Sequence, residues 1–323
     1  MQIGDVGEFG LIARIERIAR RQGGAGGATV ALGRGDDAAL LRVRAGEQVA
    51  VSTDSFVEGV HFRFDHESPR TAARRAVAAS LSDLAAMGAR PLGCVVGLAA
   101  PPALDVRRFD GLARGLLHEA ALHGAPLCGG NLTRARQVSL HVTVLGAVAR
   151  GGALTRRGAR AGDRVYVTGA LGRSAFERAR ARAGQGRVTH VPTPRLAAGR
   201  RLARLAARTG GVACIDVSDG VPADLDHLLG AGLSLDPDPA PLPLARGVAA
   251  GARRLGLDPA ALASAGEDYE LLFTLRPGRG PQPEPGDVSR PLSRRLGVPV
   301  TALGTVVRRG RARRPAARGW RHF

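Results

Sequence analysis

The chain has 323 residues, 44% of them apolar and 3% aromatic, with a formal net charge of +19. At the usual domain size of roughly 100–200 residues, that length gives about two globular domains with apolar material for their cores. All 47 basic residues are arginine, which excludes a Walker A phosphate loop, a protein-kinase β3 lysine and a lysine Schiff base, because each needs an ammonium group. No apolar run is long enough to cross a bilayer. Cys94, Cys128 and Cys214 lie far apart in sequence and form no CxxC pair. That pattern argues against a zinc site or a disulfide framework and leads us to expect a cytoplasmic protein.

The charge is uneven. Residues 1–150 hold 18 arginines against 14 acids, and residues 151–323 hold 29 against 14. Seven of the latter (Arg308, Arg309, Arg311, Arg313, Arg314, Arg318, Arg321) fall in the last sixteen residues with no acid among them. Such a run reads first as a solvated face or tail. A nucleic-acid binder is the rival from a different class, but the aromatic content leaves few platforms for stacking bases.

In chain order, Phe9, Leu11, Ile12, Ile15 and Ile18 predict an amphipathic helix and not a signal peptide. A glycine-rich turn at 23–27 and a strand at 29–32 follow. Residues 49–52 predict a short strand opening into a loop over 53–61. A helix is expected over 69–88, with Ser68 as N-cap, Pro69 in its first turn and Gly88 as its stop. Strands at 91–98 and 138–148 flank a helix at 106–123. The turn-rich stretch 150–158 suggests a boundary, giving domains 1–150 and 151–323. In the second half, strands are expected at 164–168, 212–215 and 270–275, with helices at 173–183, 195–208 and 222–229. Residues 277–299, with six prolines, read as loop and a short helix. Alternating strands and helices in both halves make the fold class α/β (α+β).

Acids are scarce, so their positions inform. Asp36 and Asp37 follow a Gly-x-Gly turn, and Asp54 follows a strand. Asp216 and Asp219 bracket Val217-Ser218 ahead of Gly220, and Glu267-Asp268 follow Gly266. Each sits at a strand end near glycine, where backbone approaches a ligand closely, although any one alone also reads as a turn-former or cap. Asp83 is the only charge in 76–89, a stretch apolar or small on every helical face and therefore expected to be buried. A carboxylate there needs a metal or an arginine partner. With Ser52, Thr53 and Ser218 nearby in these blocks, the acids suggest oxygen ligands gathered around Mg2+ and substrate phosphates. Backbone N–H groups at Gly129-Gly130, read as a turn, would then offer donors to phosphate.

These blocks in their order are Gly-Asp-Asp-Ala-Ala-Leu (35–40), Ser-Thr-Asp-Ser-Phe-Val-Glu-Gly-Val-His-Phe (52–62), Leu-Ser-Asp-Leu-Ala-Ala-Met-Gly-Ala (81–89), Gly-Gly-Asn-Leu-Thr-Arg (129–134), Asp-Val-Ser-Asp-Gly (216–220) and Gly-Glu-Asp-Tyr-Glu-Leu (266–271). Together with the ends Gly-Glu-Phe-Gly-Leu-Ile (7–12) and Gly-Trp-Arg-His-Phe (319–323), they resemble the thiamine-monophosphate kinase family, within the superfamily of aminoimidazole ribonucleotide synthetase. The resemblance implies transfer of the ATP γ-phosphoryl to thiamine phosphate, with several Mg2+ ions and without a covalent intermediate. It also implies a two-domain fold, with an N-terminal ATP- and metal-binding domain whose sheet forms a homodimer interface.

By matching positions, the implied metal ligands are Asp37, Ser52, Thr53, Asp54, Asp83, Asn131, Asp216 and Asp219, with Asp54 and Asp83 central to catalysis. Gly130, Asn131, Arg156 and Ser218 would contact ATP. His61, Glu267 and Trp320 would hold thiamine phosphate. Many relatives have Asp where this chain has Asn131, and an amide oxygen ligates Mg2+ without adding charge. Within the superfamily, aminoimidazole ribonucleotide synthetase is the alternative. The reactive cysteine and lysine of selenophosphate synthetase are absent, and the chain does not end in the cysteine of the hydrogenase-maturation relative.

Overall fold

The computed structural model describes residues 1–22, 28–34, 36–209, 211–239, 242–277 and 285–310. Trp320, the glycine turn at 23–27, Gly35 and the tail arginines from Arg311 onward lie outside them. The chain forms two compact units. The first comprises Met1–Leu84, Arg90–Ala149 and Ala181–Val191, and the second comprises Ala85–Ala89, Arg150–Arg180 and Pro192–Phe323.

The first unit is built from α1 (Ile3–Arg21), β1 (Val30–Leu32), β2 (Leu40–Leu41), β3 (Glu47–Val57), α2 (Pro69–Ala86, nearly all in this unit), β4 (Arg90–Ala100), α3 (Val106–Leu122), β5 (Leu127–Arg134) and β6 (Ser139–Ala149). Its main sheet has the order β3-β6-β4-β5. β6 pairs antiparallel with β3 and β4, while β5 runs parallel to β4 after the α3 crossover. Alternation in β6 sends Leu140, Val142 and Val144 into the core and His141, Thr143 and Leu145 to the other face. The core side meets α2, whose Ser80 hydroxyl reaches the Val142 carbonyl at 3.4 Å. Ala72, Ala76, Val77, Leu81 and Leu84 are buried along that helix. On the opposite face Val49 and Val51 are exposed, Val51 by 62%.

Three expectations change here. β3 does not open into a loop at Thr53, because its ladder to β6 continues without interruption from Glu47–Ala149 to Val57–Ser139. Gly129-Gly130 is not a turn, since both pair with β4 at Val95 and Val96. In both places a long-range ladder overrides a local polar or glycine signal. α1 forms, but with non-helical backbone at Gly7. Phe9 on that helix is 85% exposed. Its inward side is narrower than the apolar pattern predicts, and Arg14 ties it to Asp110 of α3 at 2.9 and 2.6 Å.

The second unit contains β7 (Arg164–Thr168), α4 (Arg173–Arg182), α5 (Leu196–Thr209), β8 (Cys214–Asp216), α6 (Val221–Leu229), β9 (Leu233–Pro237), α7 (Val248–Arg254), α8 (Pro259–Ala263), β10 (Leu271–Leu275), α9 (Pro285–Leu296) and β11 (Val300–Arg308). An antiparallel five-stranded sheet runs β8-β10-β7-β11-β9. Val165, Val167, Ile215, Leu272 and Val306 pack with Leu228 and Leu229 of α6 in its core. The sequence does not announce β9, α7, α8 or β11. β9 carries an Asp-Pro end and a half-exposed pattern, and β11 shifts register between Ala302 and Gly304. Both features blur the period-2 signal.

Candidate active site

In the first unit, β3 and α2 bring Ser52, Asp54 and Asp83 together. Residues 52 and 54 share the α2-facing side of β3, and the Ser52 hydroxyl donates to Asp83 Oδ2 at 2.5 Å. Burial, and then the Asp83 charge, holds the Asp54 carboxyl above the usual carboxylate range, partly offset by a hydrogen bond from Ser80. Asp83 is half-buried and not enclosed as the sequence suggests, because α2 turns that side toward the Ser52 hydroxyl.

Thr53 does not join this group through its side chain. Strand alternation puts it on the open face, where its hydroxyl meets that of Thr143 at 3.0 Å. Gly130 and Asn131 are exposed on β5, which lies three strands from β3 in the sheet order. That is about 14 Å at ordinary strand spacing, so one chain's own sheet separates them. Asp37 is exposed, its N–H bonded to Asp36 Oδ1 at 2.9 Å. His61 Nδ1 accepts from the Val57 N–H at 3.0 Å, and its ring stacks on Phe56 at 5.2 Å. The buried Arg75–Glu67 pair, at 2.6 Å, lies beneath this segment, with the Arg75 guanidinium 5.1 Å from the Phe56 ring centroid.

The second unit brings Asp216, Ser218, Asp219 and Glu267 together. Asp216 ends β8 and Glu267 precedes β10, and the two turns are laced by backbone. Val217 N–H donates to Glu270 O at 2.8 Å, Tyr269 N–H to Val217 O at 2.9 Å, and Glu267 N–H to Ser218 O at 2.8 Å. Gly220 (φ 107°) and Gly266 (φ 79°) sit where the turns touch. A Cβ on Gly220 would lie 2.0 Å from Ser264 O, and one on Gly266 would lie 2.4 Å from Ser218 O. Glu267 and Tyr269 themselves adopt left-handed backbone, at φ 59° and 52°, a strained arrangement of the kind that clusters at functional sites. Arg178 of α4 forms an ion pair with Glu267. Arg156 is exposed on the segment whose neighbour, Thr155, accepts the Cys214 N–H at 2.8 Å at the entry to β8.

Comparison with known proteins decides the family. Residues 35–148 match the model of the AIR synthase related protein N-terminal domain. The chain is 40% identical over 276 residues to a thiamine-monophosphate kinase of Mycobacterium tuberculosis (strain ATCC 25618 / H37Rv), covering 83% of this chain and 80% of the relative. The chain belongs to the thiamine-monophosphate kinase family. The fold agrees. A crystal structure of thiamine-monophosphate kinase from Stenotrophomonas maltophilia K279a superposes with a TM-score of 0.75 at 34% identity, covering 94% of both chains. An AaThiL structure complexed with AMPPCP and TMP gives 0.68 at 25% identity, covering 100% of this chain and 99% of the other.

For a thiamine-monophosphate kinase, the donor chemistry can be tested against Mg2+. Among the described residues no three His, Cys, Asp or Glu side chains form a ready-made metal site. Mg2+ does not need one, since it keeps several waters and shares one or two carboxylates with phosphate oxygens. The Ser52, Asp54 and Asp83 group is such a partial set, all oxygen, and a cation would offset both the burial and the Asp83 charge that lift the Asp54 carboxyl. The donors fit the ion. The sequence points to Asp268 as an acid beside Glu267 at a strand end, but not to Asp224 or Arg178, which brace the second-unit turns. The available signal was spacing, since Asp224 lies five residues beyond Asp219 at the start of a helix.

Proposed function

We propose that this kinase transfers the γ-phosphoryl group of ATP to the phosphate of thiamine phosphate, giving thiamine diphosphate and ADP in one in-line displacement assisted by several Mg2+ ions. The Asp54–Asp83 pair, two like charges held together beside a hydroxyl, carries this reading. Such a pair is costly without a cation and suited to one that also binds phosphate. When bound, Mg2+ neutralises and orients the phosphate oxygens. Asp37, Ser52, Thr53, Asp54, Asp83, Asn131, Asp216 and Asp219 are the groups assigned to hold it, with Thr53 serving through its backbone carbonyl. Gly130 and Asn131 contact the nucleotide, the Arg156 fork takes a phosphate in bidentate fashion, and Ser218 donates a hydroxyl. His61 and Glu267 hold thiamine phosphate, with Trp320 as the aromatic platform for its cationic ring.

The reading also assigns a homodimer formed through the open face of the four-stranded sheet, supported by the exposed Val49 and Val51. The buried free thiols Cys94, Cys128 and Cys214 suit a cytoplasmic setting. No helix among the described residues is long and apolar enough to cross a membrane.

Purified protein incubated with labelled ATP, Mg2+ and thiamine phosphate tests the assignment. Labelled thiamine diphosphate is the expected product, and Asp54→Ala should lower kcat by about 10²–10³-fold, the scale of removing one transition-state electrostatic group. Folded protein that makes no thiamine diphosphate contradicts the substrate assignment.

A further inference from the structure

The turn that carries Ser218 and Asp219 leaves the sheet after Val217, and beyond that point its inward-facing N–H groups converge on one carboxylate. Asp224, in the first turn and a half of α6, accepts the Asp219 N–H at 3.1 Å and the Gly220 N–H at 3.0 Å, both on Oδ2. The Ser218 backbone is a further hydrogen-bond partner. Asp224 is 1% exposed. Among the described residues no arginine forms an ion pair with it, whereas the negative charge of Asp219 lies beside it.

A neutral asparagine would accept from the same N–H groups without the desolvation cost of a buried charge. A second carboxylate beside Asp219 is unfavourable in the free protein. It becomes favourable only when positive charge is held nearby. The turn has no slack elsewhere, because Gly220 and Gly266 press against the neighbouring backbone. The direction of the Asp219 and Ser218 side chains is therefore set from below, by Asp224.

We propose that Asp224 is a positioning residue for the phosphoryl transfer. Its carboxylate fixes the Ser218–Asp219–Gly220 turn so that Asp219 and Asp216 face a divalent cation, and its charge strengthens their hold on that cation. This rests on the assignment of Asp216, Ser218 and Asp219 made above. Asp224 itself touches neither nucleotide nor acceptor.

The test compares wild type, Asp224→Asn, Asp224→Ala and Asp226→Asn. The last removes a carboxylate from the same helix at an exposed position that the turn does not touch. Mn2+ binding in the presence of a non-hydrolysable ATP analogue is followed by the spin-resonance signal of free Mn2+, and folding stability by urea denaturation. Asp224→Asn should weaken Mn2+ binding about 10-fold and Asp224→Ala up to about 100-fold, the range for residues that orient metal ligands. Asp226→Asn should match wild type. The Asn variant should unfold at no lower urea concentration than wild type, which separates positioning from scaffolding.

Wild-type Mn2+ affinity in the folded Asn variant overturns the proposal, as does loss of stability with affinity unchanged, and so does wild type that binds no Mn2+. If Asp224→Ala does not fold, the Asn variant decides. Normal turnover by wild type with unchanged metal affinity in the variants sinks this proposal alone. Metal binding that depends on Asp224, without thiamine diphosphate formation by wild type, sinks only the substrate assignment.

Discussion

Asp268, beside the residue assigned to the acceptor, is a carboxylate held out of balance. Its Oδ2 accepts the Gly172 N–H at 2.8 Å, with the Ser174 backbone a weaker partner, while among the described residues its buried Oδ1 has no close hydrogen-bond donor. Burial is the main cause that lifts it to about 7; the Gly172 hydrogen bond opposes this, and the charge of Glu270 adds to it. A folded-state value above the ordinary 3.8 means that the native chain takes up a proton that the unfolded chain has already released. Stability therefore falls as pH rises from about 4 to about 7, by at most about 1.4 kcal/mol per pH unit for this group. Asp224, lifted to about 7 by burial and then by Asp219, adds to the same slope. Melting curves from pH 4 to 8 should thus shift downward as pH rises, and Asp268→Asn should shift less. An identical slope in the variant contradicts the assignment. None of this was visible in the sequence. Glu267 and Asp268 are adjacent acids there, and only the fold turns one toward Arg178 and the other into the core beneath α4.

Between residue and domain, the two laced turns of the second unit form the unit of construction. Their backbone hydrogen bonds tie the block at 216–220 to the block at 266–271, so groups assigned to metal and to acceptor share one rigid support. Gly266→Ala should break it. The new Cβ would meet Ser218 O at 2.4 Å with φ at +79°. The expected loss is about 1–3 kcal/mol, the usual cost of one strained residue, together with a drop in activity. Denaturant titration beside the kinase assay checks both, and an unchanged midpoint counts against the bracing.

The sequence made each block visible as glycine next to acid at a strand end. It placed β7, α4, α5 and α6 to within one residue at each end. It did not reveal that the blocks lace together, since this depends on hydrogen bonds between residues about fifty positions apart. Nor did it reveal β5, where Gly129-Gly130 carries no strand signal of its own and pairing with β4 alone supplies one.

At the scale of the whole chain, arginine replaces lysine everywhere, and many of its side chains are used within the fold. Arg14, Arg34, Arg74, Arg75 and Arg90 in the first unit, and Arg164, Arg178, Arg195 and Arg276 in the second, pair with carboxylates. Each such pair is neutral, so the net charge of +19 comes from the arginines in excess of the acids, the acid-free run at 308–321 included. The 3% aromatic content is what weakens a nucleic-acid face as an explanation. The open side of the first unit's sheet is a different feature, with Val49 and Val51 exposed beside Thr53 and His141. Val51→Lys should convert the proposed dimer to monomer in light scattering. A wild type that is already monomeric, or a variant that stays dimeric, removes that face from the assembly.

Crystals grown with Mn2+ and a non-hydrolysable ATP analogue, measured for anomalous scattering, test the carboxylate-and-cation account most directly. Anomalous peaks are predicted within about 2.0–2.6 Å of oxygen atoms of Asp54 and Asp83, the contact range of hard divalent ions, with the analogue's phosphates sharing the same ions. Nucleotide bound with no peak at either carboxylate would contradict it.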